Sequence, residues 1–312
     1  MEHMKNVAFG QSTAPAVISG MMRIPDKTDA EVRELYDTAR AAGIDFFDHA
    51  DIYGGAMHVC EDRFASALGL SAAERGEITL QTKCGIVPTE QMFDFSYEHI
   101  MTQVEGSLKA LRTDYIDVLL LHRPDSLVEP DEVARAFDEL DAAGKVRAFG
   151  VSNHTPRQID LLRTAVTQPL IANQLQLSIT HSPIIAQGVT MNMAGEDQGI
   201  VRDGGGILEY CRINGITIQA WSPFQAGFFD GVFLGNPKHA ELNAVIDRLA
   251  AKYDVAPIAI ATAWITRHPA QMQVVLGTTT PQRVADAAAG ADVVLTRPEW
   301  YELFRTAGHL LP

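Results

Sequence analysis

Short apolar runs of strand length alternate with longer segments of helical period along the chain. The strand candidates are 16–19, 44–47, 78–82, 116–121, 146–151, 170–174, 216–220 and 273–276. Between them lie helix candidates near 29–42, 60–69, 96–112, 131–143, 156–165, 204–214, 240–252 and 280–289. A further helix, at about 257–268, falls between the last two strands. Eight strands separated by helices predict an α/β fold, a (β/α)8 TIM barrel with its active site at the C-terminal strand ends. A doubly wound open sheet usually has fewer strands and a glycine fingerprint after the first, and no G-x-G-x-x-G follows a strand here. No linker rich in Pro, Gly or Ser and no repeat of fixed length divides the chain. Residues 1–312 are therefore read as one domain.

Two segments depart from an even barrel. Segment 187–206 is long, lacks periodicity and ends in Asp203-Gly204-Gly205-Gly206. It reads as a surface linker, with a flap over substrate or cofactor as the alternative. The loop 223–238 is rich in Gly and carries Phe224, Phe228, Phe229 and Phe233. Its position after the seventh strand predicts a lid more than core packing.

Composition narrows the function classes. The 312 residues are 46% apolar and 21% charged, which suits a globular enzyme. A formal net charge of −14 without any basic run argues against a nucleic-acid partner, because phosphate backbones need clustered Lys and Arg. Cys60, Cys84 and Cys211 are odd in number and lack metal-ligand spacing, which fits a reducing compartment. Residues 1–6 show no apolar core of a signal peptide, and no apolar run approaches the ~20 residues of a membrane span. A cytoplasmic protein is expected.

In a barrel the residue that ends each strand tests for chemistry. The second strand ends at Asp48 and is followed by Tyr53, the third ends at Lys83 and the fourth at His122. The fifth ends at Ser152-Asn153, the sixth near Gln174, the seventh at Trp221-Ser222 and the eighth at Gly277-Thr278. A lone Lys or His at a strand end is ordinarily structural. Acid, Tyr, Lys and His at one barrel mouth point to proton transfer. A phenol with pKa ~10 is a sluggish acid or base, and a nearby ammonium favours its phenolate. On this reading Tyr53 protonates an alkoxide or deprotonates an alcohol, Asp48 holds Lys83, and His122 polarises a carbonyl. There is no G-x-S-x-G and no poised nucleophile, so hydride chemistry on a bound nicotinamide fits best.

These motifs resemble those of the aldo-keto reductase superfamily over nearly the whole chain. The F-D-T-A-x-x-Y-G motif is matched by Phe47-Asp48-His49-Ala50-Asp51-Ile52-Tyr53-Gly54, with His49 in place of Thr. Thr82-Lys83, Leu120-Leu121-His122, Gly150-Val151-Ser152-Asn153 and Asn173-Gln174 follow in the family's order. The resemblance implies a tetrad of Asp48, Tyr53, Lys83 and His122, with Tyr53 as general acid. It implies that Ser152, Asn153 and Gln174 hold the nicotinamide carboxamide, that Trp221 stacks on the ring, and that Ser222 meets the pyrophosphate. Gly277, Thr278 and Arg283 fall where the family binds the adenosine 2′-phosphate. There Thr280 and Pro281 can open a helix whose free N–H groups favour a phosphate. The sequence departs from the common pattern at Gly277, often Lys, and at Asp286-Ala287, often Glu-Asn. NADPH is the expected cofactor and NADH the alternative.

Substrate identity is open. Met22, Arg23, His49, Phe93, Arg123 and Phe229 are candidate pocket residues, and they do not choose between sugars, small aldehydes and larger ketones. Other readings are an NAD-linked alcohol or polyol dehydrogenase and a cofactor-sensing subunit without turnover. A metal-dependent hydrolase or isomerase using Asp48, His49, Asp51 and His122 is disfavoured, because Lys83 would repel the cation. The resemblance implies a monomer.

Overall fold

The computed structural model describes residues 4–190, 205–227 and 230–311. Its strands are β1 (Asn6–Phe9), β2 (Ser12–Pro15), β3 (Val17–Gly20), β4 (Phe46–Asp48), β5 (Thr79–Cys84), β6 (Ile86–Val87) and β7 (Met92–Phe93). They continue with β8 (Val118–Leu121), β9 (Phe149–Ser152), β10 (Leu170–Gln176), β11 (Thr217–Trp221) and β12 (Gln273–Leu276). Eight of them close a parallel barrel in the order β3, β4, β5, β8, β9, β10, β11, β12 and back to β3. The fold is a (β/α)8 TIM barrel. Each apolar run named above supplies one barrel strand, and the boundaries differ by a few residues where a run begins as an isolated bridge, as at Ile116 with Val146.

The helices are α1 (Asp29–Ala41), α2 (Val59–Leu68), α3 (Ala72–Gly76), α4 (Tyr97–Leu111), α5 (Pro130–Ala142) and α6 (Pro156–Leu162). They continue with α7 (Pro183–Val189), α8 (Ile207–Ile213), α9 (Ala240–Tyr253), α10 (Pro257–Thr266), α11 (Pro281–Ala289) and α12 (Arg297–Thr306). Thr28, Ser71, Thr155 and Thr296 each open a helix with a capping box, satisfying backbone N–H groups that the first turn leaves free. The expected helix at 257–268 is α10, buried along almost its whole length between the barrel and its neighbours.

Several elements were not apparent from periodicity because they are short or polar. The β1–β2 hairpin turns at Gly10 and covers the N-terminal end of the barrel. There Phe9 meets Phe46 edge-on at 5.4 Å and joins Ile18, Val118, Leu120 and Val275 in a separate apolar cluster. Burying each such side chain contributes about 1.5–3 kcal/mol. Helix α12 is pinned outside: Trp264 and Trp300 stack at 4.9 Å, and each indole N–H donates to the other's backbone carbonyl.

Segment 187–206 begins at the end of α7 and finishes just before α8, and its residues 191–204 lie outside the described residues. In the loop after β11, Phe224 and Phe233 are buried and tied by a backbone hydrogen bond of 3.1 Å. Phe233 is fully buried in the core, and Phe224 packs into that core while also lining the cavity described below, so the loop supplies both core packing and cavity wall. Phe228 and Phe229 lie outside the described residues. Among the described residues no helix is long and apolar enough to cross a membrane.

Candidate active site

Asp48 closes β4, and the chain then folds back over the strand ends. His49 N–H donates to Gln81 O at 2.8 Å and Asp51 N–H to Lys83 O at 3.0 Å, which ties the motif to β5. The turn needs Gly54, whose φ of +101° suits no side chain and whose added Cβ would meet Val59 at 2.7 Å. This fixes Tyr53 at the cavity wall. On β5, Gln81 and Lys83 share one face because strand side chains alternate.

The four expected tetrad residues meet at one point. Lys83 Nζ, fully buried, donates to both Asp48 oxygens at 2.8 Å, to His49 O at 2.7 Å and to Tyr53 Oη at 3.2 Å. His122 follows β8, held by its N–H to Cys84 O at 2.9 Å, and its ring lies edge-on to Tyr53 at 5.9 Å. Burial alone would lower the Lys83 pKa, but Asp48 and Tyr53 outweigh it and raise the value, so the ammonium persists. Burial and the neighbouring Lys83 and Arg123 charges hold His122 well below the ordinary histidine pKa, so its imidazole is neutral.

Tyr53 departs from the expected direction. Burial raises its pKa above the ordinary phenol value, and the Lys83 charge offsets only part of this. The hydroxyl is therefore protonated at neutral pH, the state a general acid requires.

The same cavity, about 1130 Å³, extends from Asp48, Tyr53 and His122 to the start of α11. Its wall includes Ser152, Asn153, Gln174, Trp221 and Ser222, and at the far end Gly277, Thr278 and Arg283. Single-ligand pockets run to ~300–1,000 Å³, so this volume suits a dinucleotide with a small second molecule. Asn153 (φ +60°) and Ser222 (φ +52°) adopt left-handed backbone, and the Trp221 indole N–H donates to Asn153 Oδ1 at 3.1 Å. Ser152 Oγ donates to Gln174 O at 2.9 Å and accepts from Asn153 Nδ2 at 2.8 Å. Thr280 stands at the N-cap of α11 with Pro281 following, but its hydroxyl caps nothing, which leaves first-turn N–H groups for a ligand.

The substrate-pocket candidates divide. Met22, Arg23 and Arg123 line the cavity, with Arg23 tied to Gly277 O at 2.7 Å. His49 does not face the cavity: it is fully buried behind it, edge-on to Phe64 at 4.9 Å, because its side chain points to the opposite face from Asp48. Phe93 is exposed on β7 and is not part of the cavity wall.

Sequence reading passed over two groups. One is a buried cluster behind the tetrad, where Glu61 accepts from Thr82 at 2.6 Å and bonds His58 at 2.6 Å. The other is a set of interior glutamines, Gln81, Gln219 and Gln273. Their signal was available: Gln81 precedes Lys83, and Gln219 precedes Trp221, by two positions and so on the same strand face.

Among the described residues no group of three or more His, Cys, Asp or Glu is arranged to hold a metal ion. The sequence model described as "Aldo/keto reductase family" matches residues 16–305. The chain belongs to the aldo/keto reductase family. A 6-dehydroglucose reductase of Agrobacterium fabrum is 33% identical over 303 residues, covering 93% of each chain. The uncharacterised oxidoreductase YcsN of Bacillus subtilis is 35% identical, covering 92% of each. The crystal structure of the thermostable aldo-keto reductase Tm1743 superposes with a TM-score of 0.76 over 97% of this chain and all of that one; at 21% identity it bears on fold alone. This aldo/keto reductase is thus an enzyme of the oxidoreductase class.

Proposed function

We propose that this aldo/keto reductase transfers a hydride reversibly between NADPH and a carbonyl, with Tyr53 as general acid and base. The observation that carries it is the Tyr53 hydroxyl, protonated and 3.2 Å from the buried Lys83 ammonium at the wall of the large cavity. A nicotinamide, when bound, supplies or accepts the hydride. Tyr53 Oη gives its proton to the carbonyl oxygen as charge grows there, and the Lys83 ammonium stabilises the phenolate left behind. Asp48 keeps that ammonium in place. The neutral His122 ring donates a hydrogen bond to the same carbonyl oxygen and so orients it. Ser152, Asn153 and Gln174 would hold the carboxamide, Trp221 the ring face and Ser222 the pyrophosphate. Gly277 and Thr278 would border the 2′-phosphate, with Arg283 as its cation.

The proposed substrate is an oxidised sugar or a related polar carbonyl compound. Two relatives at 33% and 32% identity are named 6-dehydroglucose reductase. Arg123 adds a half-buried guanidinium beside His122, with burial lowering its pKa and no ion pair to a carboxylate among the described residues. We propose further that residues 1–312 act as one domain, as a cytoplasmic monomer on small molecules.

A second reading has its own observation. Asp286 lines the cavity close to Arg283, and a carboxylate there repels a 2′-phosphate and suits a ribose hydroxyl. That would make the protein an NAD-linked alcohol or polyol dehydrogenase. Nicotinamide absorbance followed with NADPH and NADH against aldehydes, ketones and dehydro sugars tests both. Turnover with NADPH and a dehydro sugar is expected; no turnover with any carbonyl compound would overturn the proposal.

A further inference from the structure

Four glutamines lie in the barrel interior beneath the tetrad: Gln81, Gln174, Gln219 and Gln273, none more than 3% exposed. Barrel interiors are ordinarily filled by branched apolar side chains, and a buried amide is costly unless hydrogen-bonded. These are bonded to one another. Gln273 Nε2 donates to the Pro15 carbonyl of the N-terminal hairpin at 2.8 Å. Gln219 Nε2 donates to Gln273 Oε1 at 3.1 Å and to Gln81 Oε1 at 3.0 Å. Gln219 Oε1 accepts from Gln81 Nε2 at 2.9 Å and from Gln174 Nε2 at 3.2 Å. Both of those Nε2 atoms also donate to Asp48 Oδ1, at 2.6 and 3.1 Å.

The two ends of this chain of amides can only accept: a backbone carbonyl at the floor and the carboxylate paired with Lys83 at the top. An amide has a donor end and an acceptor end. Reversing any one glutamine would set oxygen against oxygen, so the terminal acceptors define the direction of every member. At Gln174 both amide hydrogens are then committed inward. The group it has left to offer a ligand in the cavity is Oε1.

We propose that Gln81, Gln219 and Gln273 are positioning residues that act through Gln174 and Asp48, fixing Gln174 as an acceptor for the amino group of the nicotinamide carboxamide. The proposal rests on the nicotinamide reading above. The same chain gives Asp48 two amide donors besides Lys83, which holds the carboxylate in register with the ammonium.

Fluorescence titrations with NADPH and with its 3-acetylpyridine analogue, in which a methyl replaces the amino group, test this without turnover. The unmodified protein is expected to prefer NADPH by about tenfold, the worth of one hydrogen bond. In Gln219→Leu that preference should fall several-fold, because Asp48 alone is left to orient Gln174, and NADPH weakens while the analogue does not. Gln273→Leu touches neither Asp48 nor Gln174 and should shift the preference the same way by less; it carries the test if Gln219→Leu fails to fold. Equal weakening of both dinucleotides, or an unchanged preference in the folded variants, overturns the proposal. If the unmodified protein binds NADPH without discriminating, the amide chain alone is refuted. If it binds no NADPH, the functional reading fails and this inference with it.

Discussion

Lys83 donates to both carboxylate oxygens of Asp48 at 2.8 Å, with the lysine side chain fully buried. Removing one partner of such a pair leaves an uncompensated charge, which costs about 3–5 kcal/mol. Asp48 keeps amide donors from Gln81 and Gln174, so Lys83→Met should fall at the low end of that range. Urea unfolding of the variant checks it; an unchanged midpoint would contradict the pairing.

Among the described residues, Lys83 is the one hydrogen-bond partner of the Tyr53 hydroxyl that Phe would lose. Tyr53→Phe should therefore lower kcat by about 10²–10⁴-fold, the usual share of a general acid. NADPH affinity, measured by fluorescence quenching, should hold. Full turnover in this variant would remove Tyr53 from the mechanism.

Asp51 is buried without a hydrogen-bond partner for either oxygen among the described residues, and burial pushes its pKa up to about 8. The unfolded value is near 3.8, so the folded chain holds this proton more tightly than the unfolded one. The associated stability is complete at acid pH and is lost progressively as pH rises towards about 8. Asp51→Asn removes that loss. Its melting temperature relative to the unmodified protein should be higher at pH ~8 than at pH ~5; a difference that stays flat with pH would exclude the effect.

Arg283 and Asp286 stand near one another on α11 with opposite preferences for a 2′-phosphate. A charge-assisted hydrogen bond contributes about 1.5–3 kcal/mol, so Arg283→Ala should raise KM for NADPH by roughly 10–100-fold and spare NADH. Asp286→Asn should improve NADPH binding. If neither variant alters the NADPH to NADH ratio, the 2′-phosphate is not read at this turn.

The barrel was legible in the sequence because its strands are buried on both sides and so read as continuous apolar runs, as at Val118–Leu121. The tetrad was legible for a related reason, since Asp48, Lys83 and His122 stand at the ends of such runs and Tyr53 follows Asp48 in the adjoining turn. The β1–β2 hairpin, β6–β7 and α3 were not, because elements this short carry no period. His49 was misplaced in the pocket: a position within a motif does not say which face of the strand end its side chain takes.

The sequence by itself determined the strand order, the chemical identity of each strand end and the family resemblance, all of which depend on local pattern. Tertiary structure decided the rest. Burial reversed the direction of the Tyr53 pKa, and register brought Gln81, Gln174, Gln219 and Gln273 from four strands into one hydrogen-bonded chain beneath Asp48. Desolvation and hydrogen-bond direction belong to three-dimensional neighbours, and no run of residues along one strand specifies them.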